Sequence, residues 1–380
     1  MIEEFENKLF GKNNRYTLSK NEFKELYKDF NKSNILITGA AGSIGSIFTK
    51  EMNNFNFNKL YLLDKDEHLL AELARSLNLI CKSKINKITF ICCDLNSFNL
   101  GSFLKKNSIS HYLNFAALKH VRSEETFESS IYMYNTNCIY PFKIGILQNL
   151  KKLKKIFFIS TDKSVYPLSL MGLTKKIMED KLFKLKKKFP KIFISSVRFA
   201  NVSFSNGSLL KSIYEKTINN TIFGVPYNVK RYFIKQKEAS NLCLKALLKD
   251  IDGQILLPSY QSVGKAYDLS EISKKIVILL GKKPLFCSKP KKIKKNVQQI
   301  IIQKKNIIGQ KVIEKLYEKE ESITYFSRDR SLLKTPLKQF ISIKNIDNKV
   351  LNSKNINQLR SVLKKASKNK NFKTSQYGIK

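Results

Sequence analysis

The stretch Ile35-Leu36-Ile37-Thr38-Gly39-Ala40-Ala41-Gly42-Ser43-Ile44-Gly45 consists of an apolar run followed by three evenly spaced glycines. The apolar run predicts a buried strand, and the glycines predict a tight turn into a helix. Glycines let the backbone approach a ligand closely, and a helix start provides unpaired N–H groups and the positive end of its dipole. This order is typical of a loop that binds the pyrophosphate of a dinucleotide. We expect the contacts to come from Gly39, Gly42, Ser43, Ile44 and Gly45.

The rest of the chain repeats this alternation of strand and helix. Further apolar runs occupy residues 60–63, 88–92, 112–115, 156–160 and 192–197, with helix-compatible stretches between most of them. Such alternation predicts an α/β fold, a Rossmann-type doubly wound parallel sheet with a smaller C-terminal lobe. We predict an N-terminal arm (1–33), a Rossmann domain (34–200), a substrate-binding lobe with segments returning to the sheet (201–325) and a basic extension (326–380).

Two short signals are visible outside the predicted sheet. Ser19 and Glu22 have the spacing of a capping box, which predicts a helix in the arm. Near the C-terminus, residues 356–365 predict one helix before a polar end that we expect to be disordered.

Asp64 is the residue that bears on the choice of dinucleotide. It lies nineteen residues beyond Gly45, at the end of the second predicted strand. An acidic group there accepts hydrogen bonds from ribose hydroxyls and repels a 2′-phosphate, which favours NAD over NADP. The adjacent Lys65 could receive that phosphate, so NADP stays open. Asp94, followed by Leu95, has the position of an adenine contact, although an ordinary loop aspartate is an equal alternative.

Polar residues follow the fifth predicted strand. Ser160-Thr161-Asp162-Lys163 ends this strand, and Met171-Gly172-Leu173-Thr174-Lys175 opens the next helix. Ligands of open α/β sheets bind beyond the carboxyl ends of the strands, so we expect these residues to face the cofactor. Met171 and Lys175 share one helical face. The alternative for Asp162 and Lys163 is a surface ion pair.

Composition narrows the class of protein. The net charge of +40 comes from dispersed lysines, and no nucleic-acid-binding module is recognisable, so we expect no nucleic-acid partner. A weak attraction to an anionic membrane surface stays open.

The six cysteines lack metal-ligand spacing, which predicts reduced thiols and no metal site. The acidic N-terminus does not resemble a secretory signal. We therefore predict a cytoplasmic protein.

Several motifs give the chain a specific resemblance. Residues 8–325 resemble the UDP-N-acetylglucosamine 4,6-dehydratases, a group of extended short-chain dehydrogenases/reductases. The motifs are the Met-x-x-x-Lys helix start, which replaces the usual Tyr-x-x-x-Lys, together with Ala116-Ala117-Leu118-Lys119-His120-Val121, Val197-Arg198-Phe199-Ala200-Asn201-Val202, Arg231-Tyr232-Phe233 and Glu314-Lys315-Leu316-Tyr317-Glu318.

The resemblance implies a reaction and a role for each residue. A 4,6-dehydratase oxidises carbon 4 of a UDP-sugar, eliminates water across carbons 5 and 6, and returns the hydride to carbon 6. The implied base at carbon 5 is Lys163, and the implied acid at carbon 6 is Asp162. With Met171 inert, Thr161 or a water held by it would relay the proton of the carbon-4 hydroxyl, and Lys175 would contact the nicotinamide ribose. The remaining contacts would be Ala116 and Ala117 to the cofactor, Lys119 and His120 near the nicotinamide, and Asn201 and Arg231 to the diphosphate.

Two other functions stay open. A nucleotide-sugar 4-epimerase shares the fold and the cofactor but needs only the hydride steps, so the intact Asp162–Lys163 pair argues against it. A catalytically inactive scaffold that binds nucleotides is the second alternative, against which the retained glycines argue. Whichever function holds, we expect a homo-oligomer.

Overall fold

The central feature of the structure, a computed structural model, is a large twisted sheet. The structure describes residues 2–120, 124–144, 150–292, 296–303, 311–339 and 345–367. Its strands are β1 Asn34–Thr38, β2 Lys59–Asp64, β3 Ile88–Cys92, β4 His111–Asn114, β5 Lys155–Ile159, β6 Phe193–Val197, β7 Asn201–Val202, β8 Phe223–Pro226, β9 Lys230–Arg231, β10 Phe233–Ile234, β11 Gln254–Pro258, β12 Tyr267–Asp268, β13 Lys283–Cys287, β14 Val297–Gln303, β15 Thr324–Tyr325 and β16 Leu332–Pro336.

Helices cover both faces of the sheet. They are α1 Ile2–Phe10, α2 Lys20–Phe30, α3 Ser43–Glu51, α4 Glu67–Ile80, α5 Leu100–Lys106, α6 Phe127–Tyr134, α7 Leu170–Lys188, α8 Leu209–Ile218, α9 Gln236–Lys245, α10 Tyr260–Val263, α11 Leu269–Leu279, α12 Ile346–Leu351 and α13 Ile356–Ser367. Among the described residues, no helix is both long enough and apolar enough to cross a membrane.

The strand order confirms the predicted Rossmann-type fold. Within the described residues the order is β15-β16-β11-β6-β5-β4-β1-β2-β3, and the seven strands from β11 to β3 are parallel. The order reverses between β1 and β4, which opens a crevice at their carboxyl ends. Each of the six predicted apolar runs forms a strand of this sheet. The crevice is where the candidate site lies.

Alternation along the strands explains why both sheet faces are covered. Ile35 and Ile37 belong to one apolar cluster, whereas Leu36 belongs to the cluster on the opposite face. Leu62 and Leu63 divide in the same way. Successive side chains of a strand point to opposite faces, so continuous apolar runs need a helical layer on each face.

A smaller lobe stands beside the crevice. Strands β13, β14 and β8 form a parallel three-stranded sheet, which packs with α8, α11 and the N-terminal helix α1. Strand β11 returns to the main sheet. Strand β16 lies within the predicted C-terminal extension and pairs antiparallel with β11. The division into four segments stays a prediction.

The two local signals correspond to observed helices. The Ser19 hydroxyl and the Glu22 carboxylate cap helix α2 reciprocally, as the capping box predicts. Helix α13 covers residues 356–365 and packs Leu359 and Leu363 against the cluster that contains Met171. The predicted disordered end beyond it lies outside the described residues.

Candidate functional site

The glycine-rich loop connects β1 to α3 at the point where the strand order reverses. Gly39 has a φ of +70°, and a Cβ atom there would collide with the backbone of Ala116. A Cβ atom on Gly45 would collide with the carbonyl of Gly39. Gly42 is the N-cap of α3 and supplies no side-chain acceptor to the N–H groups of its first turn. The loop therefore tolerates only glycine at two positions and leaves a helix start available to an anion.

The end of β2 carries two charges that face different neighbours. Asp64 Oδ2 accepts a 2.9 Å hydrogen bond from the backbone N–H of Ala41, so this carboxylate lies against the glycine-rich loop. Lys65 Nζ donates a 3.0 Å hydrogen bond to Tyr132 Oη on α6, and Tyr132 Oη donates at 2.8 Å to Asp94 Oδ2. Leu95, beside Asp94, is buried in the core. Tyr132 carried no signal in the sequence.

A short 3₁₀ turn, Asp162–Ser164, follows β5 and brings the predicted acid and base together. Asp162 is fully buried. Its Oδ1 accepts hydrogen bonds from Thr161 Oγ1 at 2.9 Å and from Lys163 Nζ at 3.0 Å. Lys163 Nζ also donates to Asn201 Oδ1 at 3.1 Å. Asp162 Oδ2 is buried and has no hydrogen-bond partner among the described residues.

The start of helix α7 packs directly on this turn. A Cβ atom on Gly172 would collide with the backbone carbonyl of Lys163, so the helix can approach only because residue 172 is glycine. The backbone N–H groups of Leu170 and Met171 donate to the Glu124 carboxylate at 3.0 and 2.8 Å. Met171 is buried. Glu124 is far from α7 in the chain, and no local pattern indicated its capping role.

Lys175, one turn further along α7, is enclosed by protein. Its Nζ donates a 3.0 Å hydrogen bond to the carbonyl of Ile159 at the end of β5. Burial lowers the pKa of Lys175 to about 8, because removing water disfavours the ammonium form. A substantial fraction of this amine is therefore neutral near pH 8.

Lys119 lies within electrostatic range of Lys163 and Lys211. Lys119 Nζ donates to Ser205 Oγ at 3.3 Å. Desolvation and the charges of Lys163 and Lys211 lower the pKa of Lys119 to about 8, although part of its side chain is reached by solvent. The ring of the adjacent His120 packs closely against Gly207, where a Cβ atom would lie 2.6 Å from Cε1.

Glu314 is a site residue to which the sequence motif had assigned no role. Arg231 Nη2 lies 4.0 Å from Glu314 Oε1, and Lys311 Nζ lies 2.9 Å from Oε2. Burial would raise the pKa of Glu314, but the charges of Lys163, Lys311 and Arg231 outweigh burial and hold it below its ordinary value. Arg231 and Lys163 therefore both act electrostatically on the same buried carboxylate.

The predicted residues form two neighbouring groups. The first group contains the loop residues Gly39, Gly42, Ser43, Ile44 and Gly45, with Asp64 and Ala116 against the loop and Ala117 next to Ala116 in the segment after β4. The second group is connected by hydrogen bonds and contains Thr161, Asp162, Lys163 and Asn201. One link between the loop and the smaller lobe is the 2.7 Å hydrogen bond from the Asn206 N–H to Ser43 Oγ. Among the described residues, no three His, Cys, Asp or Glu side chains are grouped as metal ligands.

Comparison with known proteins places the chain in a family. Residues 35–336 match the family described as polysaccharide biosynthesis protein. The chain belongs to this family. It is 29% identical over 269 residues to the capsular polysaccharide biosynthesis protein CapD of Staphylococcus aureus, with 67% of this chain and 42% of CapD covered. It is 28% identical over 254 residues to an inverting UDP-N-acetylglucosamine 4,6-dehydratase of Campylobacter jejuni, with 63% and 71% covered. The chain thus spans less than half the length of CapD.

Solved structures agree on the fold of this family member. The structure of Pen from Bacillus thuringiensis superposes with a TM-score of 0.67 at 19% identity, covering 83% of this chain and 90% of Pen. At this identity the likeness shows the fold alone.

Proposed function

We propose that the protein is an NAD-dependent nucleotide-sugar 4,6-dehydratase acting on UDP-N-acetylglucosamine in the synthesis of a surface polysaccharide or glycan. The observation that carries the proposal is the buried Asp162 carboxylate hydrogen-bonded to Lys163 Nζ immediately after β5. Elimination of water across carbons 5 and 6 needs a base and an acid side by side, whereas epimerisation at carbon 4 needs no proton transfer at either of those carbons. The activity of the Campylobacter relative supports the same assignment.

The residues around the glycine-rich loop fit a dinucleotide. Glycine at positions 39 and 45 permits the tight turn of the loop, and the unfilled cap at Gly42 suits a pyrophosphate at the start of α3. Reversible hydride transfer is the chemistry that NAD supplies when it is bound. Asp64, against the loop, would accept from the ribose hydroxyls, and Lys175 would donate to the nicotinamide ribose. The remaining proposed contacts are Ser43, Ile44, Asp94, Leu95, Ala116 and Ala117.

The side chains at the 3₁₀ turn Asp162–Ser164, together with Thr161 before it, would move the protons. Lys163 Nζ takes the proton from carbon 5 once carbon 4 is a ketone, and the Asp162 carboxyl gives a proton to the hydroxyl leaving carbon 6. We assign Oδ2 to the leaving group because buried polar atoms are normally paired, and this atom lacks a partner among the described residues. Thr161 Oγ1, 2.9 Å from Asp162 Oδ1, would pass the proton of the carbon-4 hydroxyl to Asp162. Lys163 then returns its proton to carbon 5, which balances the reaction as the loss of one water.

The substrate would occupy the side of the turn that faces the lobe. Asn201 and Arg231 are proposed to hold the diphosphate, and Lys119 and His120 to line the sugar side. The positive charge of Lys119 suits an anionic substrate. A cytoplasmic location and a homo-oligomeric state stay predictions.

One experiment separates the candidate functions. The purified chain is incubated with NAD and UDP-N-acetylglucosamine, and the sugar nucleotide is analysed by mass spectrometry and chromatography. A product lighter by one water supports the dehydratase. An isomer of unchanged mass would make the protein an epimerase, and unaltered substrate in the presence of bound NAD would make it an inactive scaffold for this sugar.

A further inference from the structure

The adjacent residues Asp64 and Lys65 direct opposite charges to different parts of the structure. Asp64 is bonded to the N–H of Ala41 in the glycine-rich loop, whereas Lys65 is bonded to Tyr132 on helix α6. The two side chains therefore have different hydrogen-bond partners. A ribose lying against the loop would meet the carboxylate first.

Tyr132 holds Lys65 through a continuous chain of hydrogen bonds. Its hydroxyl accepts from Lys65 Nζ at 3.0 Å and donates to Asp94 Oδ2 at 2.8 Å. The Lys65 ammonium also lies 5.0 Å from the centre of the Tyr132 ring. The hydrogen bond to Tyr132 and the charges of Asp94 and Asp64 raise the pKa of Lys65 above its ordinary value. Such chains polarise each member, so the bridge is stronger than one isolated surface bond.

We propose that Tyr132 determines the choice between NAD and NADP by holding Lys65 away from the ribose. This inference rests on the proposed dinucleotide-binding function. A 2′-phosphate on the ribose would meet the negative charge of Asp64, and the nearby cation that could neutralise it is engaged by Tyr132 and Asp94. Removing the Tyr132 hydroxyl breaks the hydrogen bond that fixes the Lys65 ammonium, and the flexible lysine stem can then reach a phosphate as a point charge. Tyr132 is thus a specificity-determining residue that need not touch the cofactor.

Calorimetric titration of the full chain with NAD⁺ and NADP⁺ tests the proposal. Tyr132→Phe keeps the ring and its packing but removes the hydroxyl. We expect the Kd for NADP⁺ to fall by about five- to tenfold, the size of effect that one hydrogen bond supports, while the Kd for NAD⁺ changes less than about twofold. Tyr61→Phe is the matched control, because Tyr61 lies on β2 and packs edge-on against Phe103. It should alter neither Kd.

A double variant shows whether the effect passes through Lys65. Adding Lys65→Met to Tyr132→Phe should abolish the gain in NADP⁺ affinity. A gain that persists without Lys65, or a Tyr132→Phe variant whose NADP⁺ affinity is unchanged or weaker, would overturn the inference while leaving the proposed function intact. Tighter binding of NADP⁺ than NAD⁺ by the unmodified chain would also overturn it. Binding of neither dinucleotide would overturn both the inference and the proposed function.

Discussion

Lys163 Nζ donates a 3.0 Å hydrogen bond to Asp162 Oδ1, although the two residues are neighbours in the chain. In an extended strand consecutive side chains point to opposite faces, so this contact would not form there. The 3₁₀ turn that follows β5 removes the alternation and places both side chains on one side. Asp162 Oδ2 stays without a hydrogen-bond partner among the described residues. The first predictions concern this pair.

Lys163→Ala should abolish dehydration, with a loss of at least about a thousandfold in kcat, the scale of a removed general base. NAD binding should persist, because the glycine-rich loop and Lys175 are untouched. Turnover by the unmodified protein in heavy water should place deuterium at carbon 5 of the product. The control is Lys187→Ala, which replaces an exposed lysine and should retain full activity. Normal dehydration by Lys163→Ala would show that the base lies elsewhere.

Asp162→Asn should slow elimination more than oxidation. An amide cannot deliver the proton that the leaving hydroxyl needs, whereas oxidation at carbon 4 requires only that its hydroxyl proton find another acceptor. Reduced cofactor should therefore accumulate on the variant when substrate is added, visible as nicotinamide absorbance in a rapid-mixing experiment. Equal slowing of both steps, with no accumulation, would contradict the assigned role.

Met171→Leu should retain activity within about threefold. The thioether cannot exchange a proton, and leucine nearly conserves the volume of this buried position. Met133→Leu, in the same apolar cluster, measures the effect of the packing change alone. A loss at Met171 that greatly exceeds the loss at Met133 would give the sulfur a role that the geometry does not suggest.

Lys175 should make stability depend on pH between about 8 and 10.5. Its pKa is lowered in the folded chain, so the unfolded chain binds more protons in this window and stability rises with pH. Relative to the unmodified protein, Lys175→Met should gain most stability below pH 8, on the order of 3 kcal/mol from the charge term. This advantage should shrink as the pH approaches 10.5. Denaturant unfolding at several pH values measures it, and a pH-independent difference would contradict the predicted titration.

Gly39→Ala should destabilise the fold much more than Gly281→Ala. Both glycines have positive φ, +70° and +76°, so alanine at either position carries a similar backbone cost of about 1–2 kcal/mol. Nothing lies within 4 Å of a Cβ atom at Gly281, whereas at Gly39 it would collide with Ala116. We expect the loss in unfolding free energy at Gly39 to be at least about twice that at Gly281. Similar losses would mean that the loop moves away from Ala116 without cost.

Local features of the fold and site were predictable from the sequence. Apolar runs and glycine spacing depend on neighbouring residues, so the strands from β1 to β6 and the glycine-rich loop were predictable from them. The same holds for the helix that begins near Met171. The positions of Asp162 and Lys163 at the end of β5 followed from the order of the elements.

Contacts between distant segments were decided only by the tertiary structure. Glu124 caps α7 and Glu314 lies 2.9 Å from Lys311 and 4.0 Å from Arg231, although nothing in the local sequence indicates that Glu124 or Arg231 would make these contacts. Strand β16 joins the main sheet by pairing with β11 from a segment that the sequence suggests is an extension. Sequence alone determined which residues could form a strand, a turn or an acid–base pair, because those properties depend on local backbone geometry and side-chain chemistry. Whether a lysine is hydrogen-bonded to a distant side chain, as Lys65 is to Tyr132, depends on how the helices pack across the sheet. Only the tertiary structure specifies this packing.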